Sequence, residues 1–303
     1  MKIGFIGLGK MGKNMVLRLL EQGIDVVVWN RSPEPVEEVA AKGASSAKDL
    51  DDLISQLPTP RIIWLMLPAG EITDQFIDEL LPKLTKDDLV IDGANSFYKD
   101  TLRRAKKLQE KGIHFMDIAV SGGPGGARNG ACLMIGGSKE DYEKVKDIVM
   151  ALAAPDAYGH FGTVGAGHFA KMVHNGIEYG MMEAIGEGAA ILKASEFQIN
   201  LPEVFRVYNN KSVIESRLVG WTQEALSEDA DLKDISSTIA ASGEGEWTVN
   251  TAKEMKIETP VIEASLKVRQ NSVADKEDSP EGFRNKVVSA QRGKFGGHPV
   301  KKK

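Results

Sequence analysis

The 303-residue chain has a single cysteine, Cys132, which excludes an internal disulfide framework and fits a reducing compartment. No run of 18 apolar residues occurs, so a membrane-spanning helix is not expected. The opening Met1-Lys2-Ile3-Gly4-Phe5-Ile6 has none of the anatomy of a secretory leader, and the expected location is cytoplasmic. A basic block is also missing. The formal net charge is −5, and Lys301 to Lys303 are too few to recruit nucleic acid. The five histidines form no H-x-x-x-H or H-E-x-x-H pattern of the kind that binds zinc. What is present, 42% hydrophobic and 27% charged residues, suits a globular chain long enough for two domains.

The first half alternates short β-rich runs with amphipathic helical stretches. Strands are predicted at Lys2–Ile6, Asp25–Trp29, Arg61–Leu67, Asp87–Asp92, His114–Ile118 and Cys132–Ile135. Helices are predicted at Lys10–Glu21, Glu34–Lys42, Lys99–Lys111 and Lys139–Leu152. Repeated βα units of this kind predict a parallel sheet with helices on both faces. From Ala166 only helical patterns follow, at about 166–195, 201–208, 213–226, 232–240, 247–255 and 260–270. The tail Gly293–Pro299 is glycine-rich and expected to be extended. The fold class is therefore α/β: a Rossmann-type doubly wound sheet over residues 1–163, then an all-helical domain over 164–303.

Gly7-Leu8-Gly9-Lys10-Met11-Gly12 is a G-x-G-x-x-G turn between the first strand and first helix. Its glycines allow a tight turn, close approach of backbone to a pyrophosphate, and close helix–sheet packing, with the helix N-terminus facing the anion. At the end of the second strand stands Asn30-Arg31-Ser32, with no carboxylate for a ribose 2′-hydroxyl. Arg31 offers a cation to a 2′-phosphate, which favours NADP over NAD. Leu67-Pro68-Ala69 and Asn95 lie on loops leaving the same sheet edge, where α/β folds bind ligands. Ser121-Gly122-Gly123 opens a glycine-rich loop able to present backbone N–H groups to an anionic or polyhydroxylated ligand.

Lys171, His174, Asn175 and Glu178 fall at i, i+3, i+4 and i+7, on one face of a helix whose other residues are mostly apolar. Such a polar stripe reads as a site wall, with an inter-helix polar seam as the competing reading. A partly buried lysine can serve as a general base, and a carboxylic acid two turns away can return a proton elsewhere on the same substrate. Cys132 is expected to be an inert core residue.

These motifs, together with the run Lys171 through Gly180 and the stretch Arg292 through His298, resemble the shorter form of 6-phosphogluconate dehydrogenase. The resemblance covers essentially the whole chain. It implies oxidative decarboxylation of 6-phosphogluconate to ribulose 5-phosphate and CO2, a step of the pentose phosphate pathway, with NADP or NAD and no metal. Lys171 matches the general base and Glu178 the acid that protonates C1 of the enediol. Asn95, Ser121, Gly122, Gly123, His174 and Asn175 match sugar-acid positions; Tyr179, Arg269, Arg292 and His298 match the phosphate end. In the family the C-terminal Arg and His reach a neighbouring subunit's site, which implies a homo-oligomer, dimer or tetramer. Ser242 and Glu244 depart from the longer form, which has a lysine and a threonine there to help hold phosphate. The rival enzyme reading is a β-hydroxyacid dehydrogenase acting on a small acid without decarboxylation. The reading from another class is a non-catalytic dinucleotide sensor.

Overall fold

The computed structural model describes residues 1–240 and 243–296. The chain divides into two compact units, Met1–Lys171 and Met172–Lys303. Eight strands form one sheet in the first unit: β1 (Lys2–Ile6), β2 (Asp25–Trp29), β3 (Ser45–Ser46), β4 (Ile62–Leu65), β5 (Leu89–Asp92), β6 (His114–Ser121), β7 (Ala131–Gly136) and β8 (Ala153–Gly162). Helices α1 (Lys10–Glu21), α2 (Pro33–Ala40), α3 (Leu50–Ser55), α4 (Glu71–Leu80), α5 (Tyr98–Gln109), α6 (Gly123–Asn129) and α7 (Lys139–Leu152) connect them.

The strand order is β3-β2-β1-β4-β5-β6-β7-β8, with a topological switch point between β1 and β4. Alternation along the strands builds two cores. Ile3, Phe5, Val26, Val28, Trp64, Ile91, Met116 and Ile118 face one side with Met15 and Leu19 of α1 and Val145 and Ile148 of α7. Ile6, Val27, Ile63, Leu65, Val90 and Phe115 face the other with Leu53 of α3, Ile77 of α4 and Leu108 of α5. Both faces of the sheet are therefore covered, as the βα pattern predicts.

The expectation of an all-parallel sheet fails at one pair, because β6 and β7 run antiparallel. The segment from Ser121 to Ala131 holds only the seven-residue α6, too short for a parallel crossover. Strands β3 and β8 and helices α3, α4 and α6 are additions to the expected set. Ala153–Gly162 carries Pro155, Asp156 and two glycines, which hide its strand character. Cys132 is exposed rather than buried. It points to the opposite face of β7 from the buried Ala131 and Leu133.

Helix α8 (Ala166–Ala194) runs from the first unit into the second. The second unit continues with α9 (Leu201–Tyr208), α10 (Arg217–Glu228), α11 (Glu244–Glu254), α12 (Pro260–Asn271) and α13 (Pro280–Gly296). Its core gathers Ala189, Phe205, Val219, Leu226, Phe283 and Val287. No described helix is long and apolar enough to cross a membrane.

Two helical-unit expectations are corrected. Residues 232–240 form no helix. Asp229 accepts from the backbone N–H of Asp231 and Lys233, Leu232 has a left-handed φ of 49°, and Ile239 N–H donates to Ser272 Oγ at 2.9 Å. These side-chain acceptors take the bonds that a helix would have given to its own carbonyls. The tail through Gly296 is helical, not extended, because α13 packs Val287 and Ala290 into the core and carries Gly293 and Gly296 in its last turns. Residues 297–299 of that tail lie outside the described residues.

Candidate active site

At the end of β1 the chain turns through Gly7, whose φ is +100°. A Cβ there would sit 2.3 Å from Met66 O, and one on Gly12 would sit 2.0 Å from Gly7 O, so neither position admits a side chain. At Gly9 a Cβ would meet nothing within 4 Å. Gly9 is also the N-cap of α1, which has no side-chain cap. The tight glycines shape the turn, while Gly9 keeps its outer face open for a pyrophosphate against the helix N-terminus; the residues present fit a dinucleotide. Met11 packs against the core and Lys10 is exposed.

Asn30 is part of the turn's construction. Leu8 N–H donates to its Oδ1 at 2.9 Å, and its Nδ2 donates to Ser32 O at 3.0 Å. Arg31 and Ser32 are exposed at the start of α2, where Ser32 is the N-cap without a side-chain bond.

On the other side of the switch point, Pro68 and Ala69 are exposed and Leu67 is half-buried. Gly70 turns into α4 with a φ of +83°. Asn95 is exposed on the loop after β5, flanked by buried Ala94 and Ser96. A buried network that sequence reading missed lies beneath both loops. Asp92 accepts from Ala94 N–H and Ser96 Oγ, each at 3.0 Å, and Arg104 of α5 donates to Asp92, Ser96, Asp74 and Gly70 O. Burial works against ionisation of Asp74, but Arg103 and Arg104 overcome it and hold that carboxyl below its ordinary range. The available signal was an aspartate inside an apolar strand, Leu89-Val90-Ile91-Asp92.

Ser121 ends β6, and Gly122 (φ +117°) and Gly123 (φ +63°) turn into α6. The expected glycine-rich loop is thus a strand end followed by a short helix.

The start of α8 is tied to β6 by a second buried aspartate. Asp117 Oδ1 accepts from Gly165 N–H and Oδ2 from His168 N–H, both at 2.7 Å. His168 Nδ1 lies 2.7 Å from Thr101 Oγ1. A carboxylate at a helix N-terminus satisfies its open N–H groups and its dipole together. Lys171 stands one turn further along, half-buried.

On the same helix, His174 Nδ1 lies 3.2 Å from Asn175 Oδ1 and 3.7 Å from Glu178 Oε2. Lys171 and Glu178 are about 10 Å apart along the axis at 1.5 Å per residue. The helix is less buried than its apolar composition suggests, since Ile177 and Met181 are exposed on its other flank. Gly176 has a packing reason: a Cβ would sit 2.7 Å from Thr248 Cγ2.

In the second unit Tyr179 and Arg269 come together. The guanidinium lies 3.3 Å from the ring centroid, and Arg269 is only 2% exposed. Among the described residues its Nε and Nη1 have no hydrogen-bond partner, Nη2 reaches Met182 Sδ at 4.0 Å, and Tyr179 Oη is unpaired. Burial pushes Arg269 down to about 10, Tyr179 opposes that shift, and the charge of Arg292 adds to it. Arg292 of α13 is itself buried. Glu244 is buried at the start of α11. His298 and Ser242 lie outside the described residues.

Buried Glu183, one turn beyond Tyr179, was also missed. Arg284 Nε is 3.1 Å from its Oε1, yet both carboxylate oxygens are without a hydrogen bond among the described residues. Burial therefore outweighs the ion pair and raises its pKa to about 7.

A doubly wound sheet with this glycine turn is the architecture of a dinucleotide-binding protein. Residues 2–198 match the NAD-binding domain of 6-phosphogluconate dehydrogenase, and residues 167–298 match that enzyme's C-terminal domain. The chain belongs to the 6-phosphogluconate dehydrogenase family. It is 45% identical over 303 residues, all of both chains, to YqeC of Bacillus subtilis (strain 168), provisionally named a 6-phosphogluconate dehydrogenase. It is 39% identical over 305 residues to the NAD(+)-dependent, decarboxylating 6-phosphogluconate dehydrogenase of Haloferax volcanii, covering 100% of this chain and 99% of that one. The 6-phosphogluconate dehydrogenase structure from Plasmodium falciparum, whose cofactor is NADP+, superposes with a TM-score of 0.83 at 32% identity, over 96% of this chain and 70% of that one.

Proposed function

We propose that the protein oxidatively decarboxylates 6-phosphogluconate to ribulose 5-phosphate and CO2, the pentose phosphate reaction, using NADP in preference to NAD. The observation that carries this reading is Arg269: a buried guanidinium over the Tyr179 ring, within reach of the Arg292 charge and with no acceptor for Nε or Nη1 among the described residues. Leaving such donors unpaired is costly, and a phosphate would satisfy them bidentately. A small 3-hydroxy acid without a phosphate would not.

In this reading residues 1–163 bind the dinucleotide and 164–303 supply the substrate unit. Gly7 to Gly12 hold the pyrophosphate, Arg31 and Ser32 take the 2′-phosphate at the start of α2, and the loops at Leu67–Ala69 and Asn95 serve the nicotinamide half. The bound dinucleotide supplies the hydride acceptor. Lys171 takes the proton of the C3 hydroxyl and, once protonated, polarises the resulting ketone so that the carboxylate leaves as CO2. Glu178 then protonates C1 of the enediol. His174 and Asn175 orient the sugar acid from the same helix face, with Ser121, Gly122 and Gly123 contributing further contacts. Tyr179, Arg269 and Arg292 hold the phosphate.

A homo-oligomer in the cytoplasm completes the proposal, with the tail bearing His298 reaching a second copy. The exposed apolar side chains Met181, Ile191, Val213 and Ile214 of the second unit line one groove and support such an association. The test is purified protein with 6-phosphogluconate and NADP or NAD, following reduced cofactor and CO2 together. Equal yields are expected. Reduced cofactor without CO2 would leave only a simple dehydrogenase, and no reduction with either cofactor would sink the enzyme reading.

A further inference from the structure

We infer that Arg104 is a positioning residue that sets the two loops on the nicotinamide side of the switch point, Leu67–Gly70 and Gly93–Ser96. This rests on the dinucleotide reading above. Arg104 is 1% exposed and touches neither loop's outer surface. Its four bonds instead run to the base of each loop: Nε to Asp74 Oδ1 at 2.7 Å, Nη1 to Asp92 Oδ2 at 3.1 Å and Ser96 Oγ at 2.8 Å, and Nη2 to Gly70 O at 3.0 Å. Asp92 in turn holds Ala94 N–H and Ser96 Oγ, the residues on either side of Asn95.

One planar fork thus joins the start of α4 to the turn that presents Asn95. The loops that read the other half of a dinucleotide, Gly7–Gly12 and Asn30–Ser32, are held by a separate device, Asn30. Separate side-chain devices therefore set the two halves of the cofactor site. A lysine in place of Arg104 keeps the charge but concentrates its donors on one nitrogen, which cannot span acceptors on Asp74, Asp92, Ser96 and Gly70 at once.

The test compares NADP with 2′-phospho-ADP-ribose, which lacks the nicotinamide, in titration calorimetry on the wild type and Arg104→Lys. The expected result is a loss of about tenfold in NADP affinity, with 2′-phospho-ADP-ribose unchanged within about twofold. Equal losses for both ligands, or no loss for either, would overturn the inference, since a general structural defect spares neither half. Should Arg104→Lys not yield folded protein, Asp74→Ala removes the Nε acceptor together with the more exposed Arg103 pair, and the same split is expected on a smaller scale. Failure of the wild type to bind either ligand would be a different result: the comparison then runs with NAD and ADP-ribose, and failure of those as well would overturn the dinucleotide reading itself, and this inference with it.

Discussion

Arg104 in the sheet unit and Arg269 in the helical unit are equally buried, at 1% and 2% exposed, but they are employed in opposite ways. Arg104 gives four hydrogen bonds to oxygen, two of them to carboxylates. Arg269 sits 3.3 Å over the Tyr179 ring and gives none to oxygen among the described residues. A buried cation whose donors are satisfied by its own chain holds structure, whereas one left unsatisfied needs another partner. In the proposed reading that partner is the substrate phosphate, so the difference separates residues that build the site from residues that face it, and each expectation below would break or sharpen that separation.

The largest effect belongs to Lys171. If site-facing residues carry little structural work, Lys171→Met lowers turnover by about 10³-fold or more while dinucleotide affinity and melting temperature stay near wild type. Lost dinucleotide affinity in steady-state and binding assays would make the lysine a structural one. Next comes the direct contrast in urea unfolding. Arg104→Met strands buried Asp92 and is expected to cost about 3–5 kcal/mol, whereas Arg269→Met removes a desolvated, unpaired cation and is expected to be neutral or slightly stabilising. Equal losses would erase the distinction.

A smaller effect is expected at Glu183. Its pKa of about 7 in the folded chain lies above the ordinary 4.5, so between those pH values the folded state holds more protons than the unfolded one. Stability from this group is full below about pH 4.5 and is lost as pH rises through about 7. Glu183→Gln should flatten that decline and gain roughly 1–3 kcal/mol at pH 8 relative to wild type, read from melting curves at pH 5 and 8. The smallest effect is expected at Arg31, where Arg31→Ala should weaken NADP about tenfold more than NAD. Equal weakening would remove the cofactor preference from that residue.

Much of this was legible in the residues. Lys2–Ile6, Asp25–Trp29, Lys10–Glu21, Lys139–Leu152 and Leu201–Tyr208 have the predicted bounds, because strand alternation and helical spacing were unbroken there. The glycine turn and the polar stripe on α8 were visible as local patterns. The buried networks were not, because Asp92 meets Arg104 and Asp117 meets His168 only across the fold. The segment at 232–240 looked helical because its hydrophobic spacing says nothing of Glu277 or Ser272, whose side chains take up its N–H groups. Local periodicity reports which face is apolar, not which distant side chain competes for the backbone.

The most direct measurement is the ratio of kcat/KM for 6-phosphogluconate to that for gluconate, in the wild type and in Arg269→Met. The wild type should prefer the phosphorylated acid by about 10² or more, and the substitution should remove most of that preference while leaving gluconate turnover nearly unchanged. A wild type indifferent to the phosphate, or a variant that loses both substrates equally, would contradict the assignment of Arg269 as the ligand-facing arginine.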